Sequence, residues 1–332
     1  VMISAHRQQD AAQEGTPRRR LLTAAALAPV LAAAPAPARA LSVREPEASS
    51  AAPASPVQTS LADWSGVAQA LGRQGDMKQN MMYHTAFPRY DLRVVSRGTV
   101  VQPGLALGTN VSFVRYPDGS LMMGDIVVSE SELQGFSDAL HANEISQTAI
   151  HKHLLSQSPD IWWIHIHAHG DDPDTLARGL RASLDRTNTP SEPTTPQQQS
   201  IDLDTAGIDA ALGTKGTVDH GIYRSIFIRR ETITDGTWAL PPGLGSTSAF
   251  NFQPLGGGRA AISGDCAMVA GEVQNVLGAL RQAGAQLVEL HNHGLTDEPR
   301  LFFTHYWAEG DAVTLAHALR PAVAATNVVA AG

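Results

Sequence analysis

The run Ile164-His165-Ile166-His167-Ala168-His169 alternates apolar and imidazole-bearing positions with period two. That period predicts a β-strand over 160–169 whose isoleucines face a core and whose histidines share the opposite face. A second strand is expected over 148–155, with His151 and His153 on one face. The short connection at 155–159 makes the two a hairpin, which would set cross-strand neighbours on the order of 5 Å apart. Upstream, Ser129 followed by Glu132 has the spacing of a capping box and predicts a helix over 131–142. A closing helix is expected over 173–184 and a short one over 64–71. Two or three antiparallel strands lie between the first helix and the second, with a turn at Pro117-Asp118-Gly119.

The same pattern occurs twice, at a shift of about 140 residues. Tyr83, Phe87 and Arg89 return as Tyr223, Phe227 and Arg229. Gly124-Asp125 returns as Gly264-Asp265, and His151-Lys152-His153 as His291-Asn292-His293. Pro159, His165, Gly170 and Asp171 return as Pro299, His305, Gly310 and Asp311. In the second copy the corresponding helices are expected over 208–212 and 271–283, and Gly256-Gly257-Gly258 supplies the turn. Residues 188–200, with Pro190, Pro193 and Pro196 among Thr, Ser and Gln, read as an extended linker between domains at 61–187 and 201–326. Strands, helix, two strands, helix in each copy predicts an α+β fold: a tandem duplication of a mainly antiparallel sheet with helices packed on one face, the copies related by a pseudo-twofold axis.

The beginning of the sequence follows a different pattern. Arg18-Arg19-Arg20-Leu21-Leu22 leads into a small-residue apolar stretch ending at Ala38-Arg39-Ala40, the order of features in a cleavable twin-arginine signal peptide over 1–40. Pro29, Pro35 and Pro37 break that stretch too often for a lasting membrane helix. Residues 41–60, rich in Ala, Ser, Pro and Glu, read as a flexible tether. The expected product is periplasmic or secreted, exported by the twin-arginine machinery, with no stable membrane span in the mature chain. A single cysteine, Cys266, allows no intramolecular disulfide and reads as a buried small residue. A net charge of −8 offers no basic face to a nucleic-acid backbone, so no nucleic-acid partner is expected. No phosphate loop, dinucleotide fingerprint or nucleophile elbow stands out.

The candidate chemistry is therefore the histidines. His151, His153, His165, His167 and His169 would converge in the first copy. The second keeps His291, His293 and His305 but has Trp307 and Glu309 in place of His167 and His169. Three imidazole nitrogens with a carboxylate or an open position suit a divalent transition metal, Zn, Mn, Fe or Cu. The expected ligand sets are His151, His153, His165 and His169 in one copy and His291, His293, His305 and Glu309 in the other. Asp125 and Asp265 could orient a ligand ring, and Arg89 and Arg229 could hold an anionic substrate if they face a cleft. His84, His141, His220 and His317 lack partners at useful spacing. The function that follows is an exported metal-binding protein, with a metalloenzyme of hydrolytic or oxygen-using type as one form and no catalytic residue singled out. The alternative is a metal-free cell-envelope protein that binds a small-molecule or envelope ligand in a histidine-lined cleft.

The segments MMGDIVVSESEL, TAIHKHLLSQSPDIWWIHIHAHGD, AISGDCAMVAGEV and VELHNHGLTDEPRLFFTHYWAEGD resemble the LppY/LpqO family of exported bacterial proteins of unknown function over about residues 61–326. The resemblance implies duplication and export and names no substrate. Family members named as lipoproteins carry a lipid-attachment cysteine, which this chain lacks near Ala40, so the resemblance does not carry anchoring over.

Overall fold

The structure is a computed structural model that describes residues 52–191 and 201–331. The signal peptide expected over 1–40, the first part of the expected tether and residues 192–200 of the linker lie outside the described residues.

In the first repeat, α1 (Ser65–Leu71) leads to β1 (Asp76–Lys78), β2 (Met82–Pro88), β3 (Val94–Ser96) and β4 (Thr99–Val101). A single turn, α2 (Pro103–Ala106), precedes the long strands β5 (Gly108–Tyr116) and β6 (Gly119–Ser129). Then come α3 (Glu130–Ala142), β7 (Ser146–His151), β8 (Gln157–Ser158), β9 (Ile161–Gly170) and α4 (Pro173–Leu184). The second repeat opens with α5 (Thr205–Leu212), β10 (Thr217–Asp219), β11 (Ile222–Arg229), β12 (Thr234–Asp235) and β13 (Trp238–Ala239). It continues with β14 (Thr247–Gly256), β15 (Arg259–Val269), α6 (Val273–Gln282), β16 (Gln286–His291), β17 (Asp297–Glu298), β18 (Leu301–Asp311), α7 (Ala312–Ala324) and β19 (Val328–Ala330).

The strand order β1-β2-β5-β6-β9-β7 recurs as β10-β11-β14-β15-β18-β16. Within each sheet the neighbours run antiparallel, so the tandem α+β duplication expected from the spacing is what the chain forms. Alternation along the long strands assigns their two faces. Met122, Ile126 and Val128 of β6 and Ile164, Ile166 and Ala168 of β9 pack under α1, α3 and α4. Ile262, Cys266 and Met268 of β15 do the same under α5, α6 and α7. The other faces meet. Leu121, Met123, Ala267 and Phe303 share one apolar cluster, and Val127, Trp163, Ala261 and Trp307 share another, each drawing on both repeats. Whatever polar group sits on those inner faces is therefore enclosed between two sheets.

Local features follow the expected chemistry where a side chain fixes them. Ser129 and Glu132 form the capping box of α3, and α4 spans Pro173–Leu184 with Asp172 capping. The Gly256–Gly258 turn has three consecutive positive φ values (87°, 61° and 75°), a path that side-chain-bearing residues rarely take. Six strands, β1 to β6, stand between α1 and α3 where two or three were expected, and two further elements differ. β7 ends at His151 rather than at 155, because Leu154 is drawn into the apolar cluster between the repeats and the Leu155 carbonyl accepts from Ser96 Oγ at 2.7 Å. The last residues of the expected tether are held across both repeats. Ala54 N donates to Thr237 O (2.7 Å), Ala239 N to Ala54 O (2.9 Å) and Val57 N to Arg115 O (2.7 Å).

Candidate metal centre

The inner faces carry the histidines. His165 lies directly across from Asp125 on β6, and His305 directly across from Asp265 on β15. His151 and His291 close β7 and β16, and His153 and His293 follow two residues later, outside the strands. The sheets' packing then brings the two sets together as one cluster. The ring of His151 stacks on that of His291 with centroids 4.1 Å apart. His153 lies 3.7 Å from His305, and His293 lies 4.0 Å from His165. The exchange is reciprocal, as an approximate twofold axis requires. The aromatic neighbours repeat too, with Trp163 stacked on His153 at 4.5 Å and Phe303 on His293.

This arrangement corrects the expected ligand sets. The two sets are not apart, and three histidines from each repeat meet in one composite centre. Among the described residues, three groups of side chains have donor atoms near enough to hold a metal ion, all within 4.8 Å of one another in each group. Two belong to the centre, His151 with His165 and His291, and His151 with His153 and His305. The third is His167 with His169 and Asp235. His169 does not join His151, His153 and His165, because two residues per strand step carry it about 7 Å along β9 for every pair. Glu309 likewise leaves the centre, accepting from Thr99 Oγ1 at 2.9 Å and from Trp307 Nε1 at 3.1 Å.

The chemistry of the centre is set by burial. His151, His165 and His305 are 1%, 8% and 5% exposed. Burial, reinforced by neighbouring imidazoles, holds His151, His153, His291 and His293 well below the usual histidine range. It takes His165 down to about 3 and His305 to about 4. The rings are therefore neutral, each with one bare nitrogen. His305 Nδ1 donates to the Gly264 carbonyl at 3.2 Å, and the Gly124 backbone lies beside the His165 ring in the matching place. The Nε2 lone pair of His305 is thereby turned into the cluster. This backbone anchoring of one nitrogen to present the other is how ligand histidines are oriented.

Those two glycines are the first residues of the repeated Gly-Asp pair. A Cβ at Gly124 would stand 2.8 Å from Asn110 O, and one at Gly264 would run into the Tyr306 hydroxyl and Ala249 O. The close approach keeps Asp125 and Asp265 beside the rings, with His153 Nε2 3.4 Å from Asp125 and His293 Nε2 3.6 Å from Asp265. Burial raises both carboxyl groups well above their usual value.

Nitrogens of five of these rings, His151, His165, His291, His293 and His305, are buried without a hydrogen-bond partner. One oxygen each of Asp125 and Asp265 is in the same position. A buried polar atom left unpaired costs about 1–3 kcal/mol, so native proteins seldom keep several together without a ligand. The donor set of neutral imidazoles and carboxylates fits a divalent transition ion, which would engage the lone pairs and supply the charge the carboxylates lack. A cavity of about 270 Å³ reaches the centre, lined by Asp125, Asp265, His153, His165, His293 and His305. It adjoins a wider one of about 680 Å³ through shared Gly104, Gly108, Asn110 and Arg224.

Arg89 and Arg229 do not face a cleft. Arg89 is fully buried and spends its donors on Asp91 (2.9 and 2.8 Å), Glu132 (3.0 and 3.2 Å) and the Val127 carbonyl (2.9 Å). Arg229 repeats this with Glu231, Glu272 and the Ala267 carbonyl. They tie the end of β2 or β11 to the start of α3 or α6 and have nothing left for a substrate.

Two residues escaped the sequence reading. Glu289, directly across from His305, lies 3.6 Å from His291 Nδ1 with one oxygen buried and unpaired. Burial pushes its carboxyl up to about 7 against the partly opposing Lys152. Its alternation with His291 on β16 was the available signal. Asp235 had none, since Asp235-Gly236 reads only as a turn.

A family model matches this chain twice, over residues 65–186 and 206–325. The chain belongs to the family described as Domain of Unknown Function (DUF1259). Each DUF1259 segment contributes three of the six clustered histidines and one of the two aspartates. No curated protein matches the sequence. Among solved structures, a double-ringed trimeric shell protein of the RMM microcompartment shares 13% identity over 63% of this chain and 84% of its own, with a TM-score of 0.20. EtuB from Clostridium kluyveri shares 12% over 75% and 88%, at 0.18. The trimeric microcompartment shell protein PduB shares 13% over 75% and 92%, at 0.19. Superpositions that low carry no argument about this chain. Among the described residues no helix is long and apolar enough to cross a membrane.

Proposed function

We propose that this protein binds a divalent transition metal in the composite centre formed by His151, His153, His165, His291, His293 and His305, with Asp125 and Asp265 as adjoining oxygen donors. The buried, unpartnered ring nitrogens carry this reading, because a cluster of neutral imidazoles has little other means of recovering the hydrogen bonds it gave up to water. Zn, Mn, Fe and Cu all accept such a set. The cavity leading to the centre favours an open, reactive site over a closed structural one, and hydrolytic or oxygen-using metalloenzyme chemistry is the form we put forward. Glu289, held near neutrality by burial, is placed to exchange a proton with a group bound at the centre.

The Arg18-Arg19 leader and the Ala38-Arg39-Ala40 sequence support export by the twin-arginine route to the periplasm or beyond. The repeated Gly-Asp and His-x-His segments support grouping the chain with the LppY/LpqO proteins. Export of an already folded chain would let the metal be acquired in the cytoplasm. Elemental analysis of untagged protein recovered from its export compartment tests the central reading. At least one equivalent of a transition metal per chain is expected. A folded, monodisperse sample with less than about a tenth of an equivalent of every metal would leave a metal-free ligand-binding cleft as the better account.

A further inference from the structure

Beyond the centre, the interface between the repeats has two ends that an exact duplication would make alike, and they are not alike. At one end His167 and His169 of β9 meet Asp235 of β12, so the first repeat supplies two imidazoles and the second a carboxylate. At the other, Trp307 and Glu309 of β18 stand where the histidines would be. Ser96, which pairs with β8 as Asp235 does with β17, stands where the aspartate would be. Ser96 is buried and turned to the Leu155 carbonyl.

We propose that His167, His169 and Asp235 form a second divalent-metal site, separate from the six-histidine centre and present at one end only. Both Nε2 atoms address the same oxygen, Asp235 Oδ2, at 3.0 Å from His167 and 2.5 Å from His169. Donor atoms gathered around one metal stand about 3 Å from each other when each is about 2.1 Å from the ion, so most of this spacing is already that of a ligand set. The two rings lie 4.9 Å apart at 83° to each other, which turns edges, where the lone pairs are, toward the common point. His167 Nε2 is buried and, despite its 3.0 Å approach to the carboxylate, makes no hydrogen bond with it. That misalignment is expected of two ligands aimed at a shared ion and not of a donor aimed at its acceptor.

The surroundings suit a ligand carboxylate. The Asp235 side chain is 2% exposed, and its second oxygen accepts from Thr296 Oγ1 at 2.6 Å, an outer hydrogen bond of the kind that fixes a metal-bound carboxylate. The His169 side chain is half exposed and borders a cavity of about 330 Å³ that Ser146, Thr148, Leu295 and Thr296 also line. Two histidines and one carboxylate, with space on the remaining side, is the donor set of Zn²⁺ sites that keep an open position and of non-haem Fe²⁺ sites. Because the ligands come from both repeats, the ion would also tie the two together.

The test uses metal-stripped full-length protein titrated with Zn²⁺ alone, bound metal being counted after equilibrium dialysis. H167A/H169A is expected to bind one equivalent fewer than the unaltered chain. H151A/H291A, which disables the centre, is expected to retain that one equivalent. D235N keeps shape and removes the charge, and it should lose the same equivalent if the double-alanine chain does not fold. Unchanged stoichiometry in H167A/H169A or D235N overturns the proposal, as does a folded H151A/H291A chain that takes up no zinc. A single equivalent that survives loss of the centre but not loss of Asp235 would uphold this site even if the centre itself proved to bind nothing.

Discussion

The middle of the repeat interface is symmetric and its two ends are not. In the middle, each His, each Asp and each Gly of one repeat has its match in the other, with Gly124 beside His165 as Gly264 is beside His305. At the ends, His167 and His169 face Asp235 on one side, while Trp307 and Glu309 sit near Thr99 on the other. A site on the pseudo-axis needs both copies at once, so a change in either copy damages the whole. An end needs only one strand from each repeat and can drift alone. Under the proposed reading the symmetric part holds the composite centre, and the asymmetric part holds the second site.

The largest expected effect follows from that shared dependence. In a D235N background, which removes the end site from the count, H151A and H291A should each reduce bound metal at least tenfold, and to the same extent, when content is measured after dialysis of otherwise identical preparations. Two independent sites would instead leave half the metal in either variant. Next comes the symmetric scaffold. Removing the guanidinium in R89M or R229M leaves buried or half-buried Glu132 or Glu272 without its counter-charge, a loss on the order of 3–5 kcal/mol. Urea midpoints should fall in both variants, and a midpoint within error of the unaltered chain would show that the clamps do not hold the helices.

These outcomes also show how far the residues alone could lead. The strand over Ile161–Gly170, the helix Pro173–Leu184, the capping box and the duplication were legible because each leaves a local trace: alternation, a cap, or a repeat spacing. The histidines were legible as a group for the same reason. Which of them touch was not. Hairpin geometry pairs His151 with its own strand partners, but the contacts of His153 with His305 and of His293 with His165 arise from packing one sheet on another, which no local period encodes. The arginine pair misled for a related reason, since a buried clamp and a substrate-binding pair look alike until Glu132 and Glu272 are seen to meet them.

A smaller, graded effect probes the centre by pH. His165 and His305, with folded values of about 3 and 4, lie below the ordinary histidine value. Between there and about 6.5 the unfolded chain binds protons that the folded chain refuses. Stability of the metal-stripped protein is thus full above about pH 6.5 and falls as the pH drops toward the folded values, by up to about 1.4 kcal/mol per pH unit for each such histidine. Thermal melts at pH 7.5 and 5.5 should differ accordingly, and the difference should shrink in a variant carrying H165A and H305A. Equal melting temperatures at the two pH values would mean that the rings are not buried neutral.

The smallest effect is expected at the end of the interface where Trp307 and Glu309 stand in place of histidines. Glu309 accepts from Thr99 and from the Trp307 indole, and both bonds are made at a partly solvated edge. E309Q keeps the one oxygen that accepts both bonds and removes only the charge, so the change in stability should stay within about 1 kcal/mol. Metal content should not change at all, because among the described residues Glu309 is grouped with no set of convergent donors. The same substitution would cost an equivalent of metal if Glu309 completed a site with His291, His293 and His305, as its position in the repeat first suggested. Measured beside D235N, it compares one carboxylate from each end of the interface: a loss for Asp235 and none for Glu309 would locate the divergence of the two repeats in metal binding, whereas equal behaviour would mean that the ends differ in packing alone.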